Sequence, residues 1–442
     1  MFAQPRLRYR RLAMLLLALV LVGACMEIPT FSTEPSVSLR IAVPNQVQAV
    51  YLKERVKSFE QENPTIKVEV FSQMQTFRGN LASAITTLST SSTGLDLVYL
   101  TDQDFQSLGE AGVLTDLTSY IRESEDLGPS QFYPLALPVF QTRGRQMVMP
   151  AELFPLVVFY NQDLFDQASL KYPTADWTVQ DFQAAAKRLT DESGGTQKAT
   201  YGYVGDATLT VWPFVFAFGG GIPDATRDPR AQTLTSAGTM QGFQFVVDLI
   251  SRDKSFPIDP PGRTIGLWYG GRAGMTLQFM NGRNSVPQQT DARGPVMTPT
   301  PGPKPTWGFR WNVAPVPGQA KRSTLVQVAG YAITKGAKNP DEAWQLIRYL
   351  VGTLPEPGVA PGFVPALRSL ARSEEFGRLY PESGRQAYLD SVNFGQSIPQ
   401  TPSTVAFTEN DIRQILRGEV SVSDTLQQLQ QKYAKAFEKL VQ

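Results

Sequence analysis

Amide and carboxylate side chains recur directly after segments that are predicted to be strands. Asn45 and Gln46 follow the first strand, and Asp102, Gln103 and Asp104 follow the third. Open α/β sheets bind ligands at the carboxyl ends of their strands. Amides and carboxylates placed there can hydrogen-bond the polar groups of a small molecule. The alternative is that these residues cap the helices that follow, and for Asp102 the two interpretations are equally good.

The chain also contains an unbroken apolar run from Leu156 to Tyr160 that is rich in β-branched and aromatic residues. Such a run is typical of a strand buried on both faces, as in a parallel sheet covered by helices. Glu152 and Phe154 stand just ahead of it, where the chain would enter the sheet. We interpret this stretch as the first passage from one domain into a second, and we expect the binding site in the cleft between them.

Trp212 is the aromatic residue that we expect in the cleft. It lies in an aromatic segment, residues 211–218, that is followed by three glycines at 219–221. Because glycine has no side chain, the backbone at these positions can approach a bound molecule closely. The glycines lack the GxxxxGK[ST] pattern of a phosphate loop. Packing in the core is the alternative for these aromatics. Gln278 and Asn281 stand at the end of a later predicted strand and are further candidates.

Length and composition exclude several classes of site. A chain of 442 residues predicts two or three domains. A net charge of +1 gives no reason to expect nucleic acid as a partner. Histidine is absent and Cys25 is the single cysteine, so a Ser-His-Asp site, a histidine-ligated metal, an intrachain disulfide and a thiolate cluster cannot form. Catalysis by carboxylates alone stays open.

The first 25 residues have the pattern of a secretory signal, in which four arginines precede an apolar run from Leu12 to Val22. The run is shorter than the roughly 20 residues of a membrane span. Residues 22–25, Val-Gly-Ala-Cys, resemble the bacterial lipobox, in which the cysteine is acylated and becomes the mature N-terminus. An ordinary signal peptide is the alternative. We predict a lipoprotein signal over 1–24, lipidation of Cys25 and a tether over 25–37.

Periodicity in the first hundred residues predicts strands alternating with helices, and hence a parallel sheet with right-handed crossovers. The predicted elements are strands at 38–43, 66–70 and 95–100 and helices at 47–62 and 77–88. Later, Thr178 and Asp181 predict a capping box. Asn339 predicts a helix cap. The proline-rich residues 284–306 are expected to form a surface loop.

The order of these segments resembles the extracellular solute-binding proteins (family 1) of ATP-binding-cassette importers, specifically the maltose/maltodextrin-binding group. The resemblance covers nearly the whole chain after Ser38. It rests on residues 56–68, 96–100, 160–165 with 177–178, 330–343 and 398–400.

The resemblance implies a type II periplasmic-binding-protein fold of class α/β, with two lobes that each contain a mainly parallel sheet and about three segments that cross between them. We predict an N-terminal lobe from residues 38–149 and 320–365, and a C-terminal lobe from residues 150–319 and 366–442. The lobes would close over a ligand by a hinge.

Carried onto this chain, the resemblance and the strand-end pattern predict one ligand-binding set. Its members are Gln46, Gln103, Asp104, Glu152, Trp212, Gln278, Asn281 and Tyr331. Relatives that bind maltodextrin often have tryptophan at the positions of Leu100 and Asn281 and a charged pair at Asn45-Gln46. The resemblance therefore predicts the fold of this chain better than it predicts the identity of its ligand.

We expect a monomeric protein without cofactor or metal that captures a sugar or oligosaccharide and delivers it to the permease of an ATP-binding-cassette importer. A lipid anchor would hold it outside the cytoplasmic membrane, on the periplasmic or cell-surface side. Peptides, polyol phosphates, polyamines and iron are alternative ligands. Two alternatives from other classes are a glycoside hydrolase that uses Glu152 and Asp104 and a sensor domain that signals to a membrane kinase.

Overall fold

The structure is a computed structural model that describes residues 37–72, 81–90, 94–108, 111–195, 198–221, 233–258, 264–291, 294–299, 307–355, 362–380, 384–397 and 408–441. The predicted signal peptide, Cys25, the predicted tether up to residue 36 and the motif at 398–400 lie outside the described residues.

The strands that the described residues form are β1 (Val37–Ala42), β2 (Ile66–Phe71), β3 (Leu97–Thr101), β4 (Gln141–Thr142), β5 (Arg145–Gln146), β6 (Met149–Asn161), β7 (Tyr201–Val204), β8 (Ala273–Phe279), β9 (Ser285–Asp291), β10 (Gly294–Pro299), β11 (Trp311–Ala314), β12 (Thr324–Ile333), β13 (Val364–Pro365) and β14 (Gly395–Gln396). Short 3₁₀ helices lie at Glu125–Leu127, Pro129–Gln131, Pro138–Phe140 and Met280–Asn284.

The α-helices in the same residues are α1 (Gln46–Glu62), α2 (Leu81–Thr90), α3 (Asp102–Leu108), α4 (Thr118–Glu123), α5 (Gln162–Gln167), α6 (Val179–Leu189), α7 (Ala207–Ala217), α8 (Ala237–Ser251), α9 (Thr264–Tyr269), α10 (Pro340–Gly352), α11 (Arg368–Ala371), α12 (Glu374–Leu379), α13 (Arg385–Asn393), α14 (Glu409–Leu416) and α15 (Val422–Val441).

One continuous sheet runs through the described residues in the order β2-β1-β3-β12-β6-β8-β7. The pairs β1–β2, β1–β3 and β7–β8 are parallel, as the alternation of strands and helices predicts. The strands in the middle, β12 with β3 and β6 with its neighbours β12, β8 and β11, pair antiparallel. The sheet therefore has a parallel part at each end, joined by long antiparallel strands.

Strand β6 connects the two halves of this sheet. All thirteen of its residues are buried, which confirms the prediction of a strand covered on both faces. Its side chains alternate between two apolar clusters, because successive residues of a strand point to opposite faces. Val157 and Phe159 enter one cluster, whereas Val158 and Tyr160 enter the other. The expectation of parallel neighbours for this strand is wrong, since its partners run antiparallel.

A glycine in β12 allows β12 and β6 to come together. The register between them shifts between Ala329 and Gly330, where Gly330 lies opposite Pro150. A Cβ atom on Gly330 would overlap the carbonyl oxygen of Met149. The close approach of the two backbones at this bulge therefore requires glycine.

Local sequence signals at the helix starts have mixed outcomes. The capping box of Thr178 and Asp181 is present at α6 and is confirmed. The ring of Trp177 packs 5.7 Å from that of Phe182, as a hydrophobic staple does. Asn339, however, makes no side-chain capping bond at α10. Its backbone conformation, φ −128° and ψ 68°, differs from the extended one of a typical N-cap.

The proline-rich region after β8 is not a loop throughout. Residues 285–291 and 294–299 form the antiparallel hairpin β9–β10. The prediction of a loop without regular structure is therefore wrong for these residues. Two-residue alternation over so short a stretch is hard to recognise when prolines interrupt it.

The turn from β3 into α3 is capped by a residue that the sequence analysis did not select. Thr101 Oγ1 accepts from the Asp104 amide at 3.1 Å, and Asp104 Oδ2 accepts from the Thr101 amide at 3.0 Å. Asp102 is instead fully buried, and its Oδ2 has no hydrogen-bond partner among the described residues. Burial raises the pKa of Asp102 to about 7, against hydrogen bonds from the backbone that lower it. Asp102 is thus the first residue of α3 and not the residue before it, and its Oδ1 accepts from the Gln103 amide of the first turn at 3.1 Å.

We predict that Gly330→Ala lowers the free energy of unfolding by about 2 kcal/mol or more, because the new methyl group must displace the backbone of β6. Urea unfolding of the two proteins measures the difference. Gly352→Ala is the control, because its Cβ would meet nothing within 4 Å and a helical Gly→Ala change is neutral or stabilising by up to about 1 kcal/mol. Equal stability of Gly330→Ala and wild type would contradict the proposed close approach.

Asp102→Asn is expected to remove one source of pH-dependent stability. The folded-state pKa of Asp102 is raised, so between about pH 4 and pH 7 the folded protein holds a proton that the unfolded chain has released. Wild-type stability should therefore fall relative to Asp102→Asn as the pH rises through this window, by an amount on the order of a few kcal/mol. Denaturant unfolding from pH 4 to 8 tests this, with the exposed Asp424→Asn as control. Parallel curves for wild type and Asp102→Asn would refute it.

Candidate functional site

The ends of two strands from opposite halves of the sheet face each other along β6. Thr101, the last residue of β3, lies opposite Ala329, which in turn lies opposite Glu152 of β6. Phe279, the last residue of β8, lies opposite Leu156. Strand β3 runs in the direction of β6 and β8 runs against it, so their carboxyl ends point toward each other. The two ends lie four positions apart on β6, at Glu152 and Leu156, which is about 13 Å of strand.

A pocket of 340 Å³ lies at the carboxyl ends of the parallel strands β7 and β8. Its lining residues are Gly205, Asp206, Ala207, Leu209, Ile258, Thr264, Ile265, Tyr269, Leu277, Gln278, Phe279, Asn281, Gly282 and Arg413. This position follows the rule that ligands bind beyond the carboxyl ends of strands in an α/β sheet.

Two of the predicted ligand-binding residues, Gln278 and Asn281, line this pocket. The Tyr269 hydroxyl donates to Gln278 Oε1 at 3.5 Å, a long contact. Gln278 Nε2 has no partner among the described residues. A buried amide nitrogen without a partner is costly, and a ligand oxygen would satisfy it.

Asp206 and Arg413 also line the pocket, and the sequence analysis did not select either. Asp206 follows β7 and caps α7, where its Oδ1 accepts from the Leu209 amide at 2.9 Å. Asp206 could have been selected from the sequence, because the Gly205-Asp206 pair comes directly after a strand. Arg413 belongs to α14, more than 200 residues later in the chain, and nothing in its local sequence indicates that it reaches this strand end.

On the opposite side, the carboxyl ends of β1 and β3 carry Asn45, Gln46, Gln103 and Asp104. Asn45 caps α1 through its Oδ1, which accepts from the Gln48 amide at 2.9 Å. Gln46 is exposed, and its Oε1 accepts from the Ser72 hydroxyl at 2.8 Å. Gln103 is exposed as well. Asp104 is half-buried and engaged with Thr101 at the start of α3.

Glu152 and Tyr331 are both fully buried. Glu152 Oε2 accepts from the Tyr99 hydroxyl at 2.6 Å. The rings of Tyr99 and Tyr331 meet edge to face at 5.4 Å between centroids. The structure therefore places these two predicted residues in one buried polar group beside the strand end of β3, below the surface that a ligand could contact.

Trp212 lies in the core of the half that contains β7 and β8. It is 6% exposed, and its ring meets Phe243 edge to face at 5.9 Å. Helix α7 is apolar on all sides, which is typical of a buried helix. Of the predicted set, the structure thus brings Gln278 and Asn281 into one pocket and puts Gln46, Gln103 and Asp104 at the facing rim. The binding role of every member stays a prediction.

Within the described ranges, no group of three or more histidine, cysteine, aspartate or glutamate side chains is arranged to hold a metal ion. None of the helices in those ranges combines the length and the apolar character that a membrane crossing needs.

Comparison with known proteins was made for both sequence and fold. A Brucella abortus (strain 2308) binding protein is 20% identical over 386 residues, which span 83% of this chain and 85% of that one. The ABC substrate-binding protein of Listeria monocytogenes, solved in complex with cycloalternan, has a TM-score of 0.71 at 22% identity and covers 91% of this chain and 99% of its own. The maltose/maltodextrin-binding domain of Bdellovibrio bacteriovorus, bound to maltotriose, has a TM-score of 0.64 at 19% identity over 91% and 100%.

These similarities confirm the two-lobed α/β fold that the resemblance implied. Residues 44–353 match the family model of the bacterial extracellular solute-binding proteins, which act outside the cytoplasm. That match spans well over half of the 442 residues, and this chain therefore belongs to the family of bacterial extracellular solute-binding proteins.

Proposed function

We propose that the protein captures a sugar or oligosaccharide in the cleft between the facing strand ends and delivers it to an ATP-binding-cassette importer. The observation that carries the proposal is the pocket at the ends of β7 and β8, with Gln278, Asn281 and Asp206 in its wall. Amides and carboxylates pair with hydroxyl groups, and an aromatic ring such as that of Tyr269 in the same wall can pack against C–H groups. Sugars present both kinds of surface.

The ligands of the structural neighbours support the same class. Cycloalternan and maltotriose, which occupy the Listeria and Bdellovibrio proteins, are both oligosaccharides. A volume of 340 Å³ lies at the small end of the range for ligand sites. We propose that this pocket holds one or two sugar units, and that Gln46, Gln103 and Asp104 contact the solute from the facing rim when the lobes close.

An anionic solute, such as a polyol phosphate or a sugar acid, is the second candidate. Arg413 in the pocket wall favours it, because a guanidinium can bind a phosphate or carboxylate through two parallel hydrogen bonds. Asp206 in the same wall opposes it, because its negative charge repels an anion.

We further propose that the solute leaves chemically unchanged. A glycoside hydrolase would need two available carboxyl groups flanking the bond that it cleaves. In this fold Asp104 is hydrogen-bonded to Thr101 and Glu152 is buried, which argues against these two residues as a catalytic carboxyl pair.

The remaining parts of the proposal concern organisation and location. We propose the lobes with the bounds given in the sequence analysis, 38–149 with 320–365 and 150–319 with 366–442. We also propose that the protein is a monomer, anchored outside the cytoplasmic membrane through a lipid on Cys25. The lipobox-like residues 22–25 support the anchor.

Gln278→Ala is expected to weaken sugar binding by about tenfold or more, because it removes an amide that lines the pocket and is worth about 1.5 kcal/mol to a polar ligand. A thermal-shift screen of the mature chain against mono- and oligosaccharides identifies the ligand, and isothermal titration then gives its Kd. Gln244→Ala, an exposed glutamine on α8 in the same lobe, is the control. Unchanged affinity of Gln278→Ala would exclude this pocket as the site, and stabilisation by anions alone would favour the second candidate.

Cys25→Ser is expected to move the protein from the membrane fraction to the soluble extracytoplasmic fraction, because the acyl chains that hold it cannot be attached. Fractionation of expressing bacteria measures this, and mass spectrometry of the wild-type N-terminal peptide should detect the lipid. If the wild type is soluble, with its N-terminus at another residue, the ordinary signal-peptide alternative is correct.

A further inference from the structure

Six polar or charged side chains form a buried group beneath the rim of the N-terminal lobe. They come from α1, β3, β6 and β12, and we call them the tyrosine–glutamate cluster. Its members are Gln48, Tyr51, Arg55, Tyr99, Glu152 and Tyr331. Each is at most 7% exposed. Buried charged groups of this kind are rare unless they are paired, so the position of the cluster in the fold requires an explanation.

The contacts of the cluster tie separate elements together. Tyr99 of β3 donates to Glu152 of β6 at 2.6 Å. Arg55 of α1 donates to Tyr51 at 3.3 Å and to the Leu350 carbonyl of α10 at 2.7 Å. Burial raises the pKa of Glu152, and Tyr99, Arg55, Tyr51 and Gln48 oppose that effect from their sides.

The cluster is incompletely satisfied. Glu152 Oε1, Gln48 Nε2 and the Tyr331 hydroxyl have no hydrogen-bond partner of good geometry among the described residues. A partly satisfied buried network costs stability compared with an apolar core of the same shape. Packing alone therefore does not account for these residue types at this place.

Glu152 stands where the crossing strands meet. It lies opposite Ala329 of β12 and opposite Pro365 of β13. Leu156, four residues further along β6, already pairs with β8 of the other lobe. Glu152 thus lies just past the proposed lobe boundary at residues 149 and 150, on the part of β6 that still pairs with β12 and β13 of the N-terminal lobe.

We propose that Glu152 is a positioning residue, which through its bond with Tyr99 fixes the angle at which β6 leaves the N-terminal lobe and so sets the balance between open and closed lobes. The cluster anchors the crossing strand to β3 and α1, the elements whose ends carry Gln103 and Gln46. A change at Glu152 would then alter ligand affinity without any contact between this carboxylate and the ligand. This consequence for affinity rests on the proposed function, whereas the effect on lobe geometry does not.

The test measures the distance between the lobes without any ligand. Spin labels on Lys53→Cys and Ala184→Cys, exposed positions on α1 and α6, report this distance in the mature chain with Cys25→Ser. Tyr99→Phe removes one hydroxyl and should change the ratio of open to closed molecules about fivefold, as expected for the loss of one buried hydrogen bond. Tyr120→Phe is the matched control, since it removes a 2.7 Å tyrosine–carboxylate bond to Asp341 in the same lobe, away from the crossing strands.

Conservative and non-conservative changes at Glu152 separate positioning from general stability. Glu152→Gln keeps an oxygen that can accept a hydrogen bond from Tyr99 and should retain the wild-type distances between the spin labels. Glu152→Leu has no such oxygen and should change these distances as Tyr99→Phe does. If Tyr99→Phe and Glu152→Leu both keep the wild-type distances, the proposal is overturned, whatever their melting temperatures. If Glu152→Leu does not fold, Tyr99→Phe alone decides.

Binding measurements with maltotriose distinguish the positioning role of Glu152 from the proposed sugar-binding function. Weaker maltotriose binding by Glu152→Gln with wild-type distances would mean that Glu152 contacts the sugar, and would overturn the positioning role. If wild type does not bind maltotriose but the distances respond to Tyr99→Phe, the positioning role stands and the maltodextrin form of the proposed function fails.

Discussion

The burial of β6 along its whole length is the constraint on which the two-lobed arrangement depends. A thirteen-residue strand that is covered on both faces must supply apolar side chains in both directions, and β6 does so by alternation. Because its first half pairs with β12 and its second half with β8, the same strand belongs to both lobes. This covalent connection between the lobes is therefore also a packed part of each core, and the lobes cannot move apart at β6 without bending the strand.

This constraint also determines where a ligand can bind. Strands β3 and β8 run toward each other and end four positions apart along β6, so polar residues that follow them are brought to opposite sides of one gap. The side near β8 contains a pocket with amide, carboxylate and guanidinium groups. The side near β3 presents exposed glutamines. A pocket on one side and exposed polar side chains on the other suit a solute that is held first by one lobe and then covered by the other.

Features encoded within a few residues could be predicted from the sequence. The capping box at α6, the first βαβ unit and the burial of β6 depend on local patterns, and the structure agrees with them. Features that depend on the distant partner could not be predicted. The apolar run of β6 does not reveal that its neighbours are antiparallel. The sequence allows both Asp102 and Asp104 to cap α3. The structure shows that Asp104 forms the reciprocal capping bonds, and it forms them with Thr101.

The same division applies to the candidate site. Gln278 and Asn281 were found because they stand at the end of a strand, whereas Arg413 comes from a helix far along the chain. Trp212 was expected in the cleft because the aromatic segment that contains it runs into three glycines, but α7 is apolar on all sides and places Trp212 in the core. Glu152 was assigned to a cleft from its position at the crossing, and only the side chains of α1 and β3 show that the strand turns it inward.

The contribution of α14 to the pocket has a consequence for biosynthesis. Asp206 and Gln278 are synthesised more than 130 residues before Arg413. The pocket wall is thus completed only after α14 has been made and has packed against α7. A chain that has been synthesised only as far as β8 therefore lacks one side of the pocket.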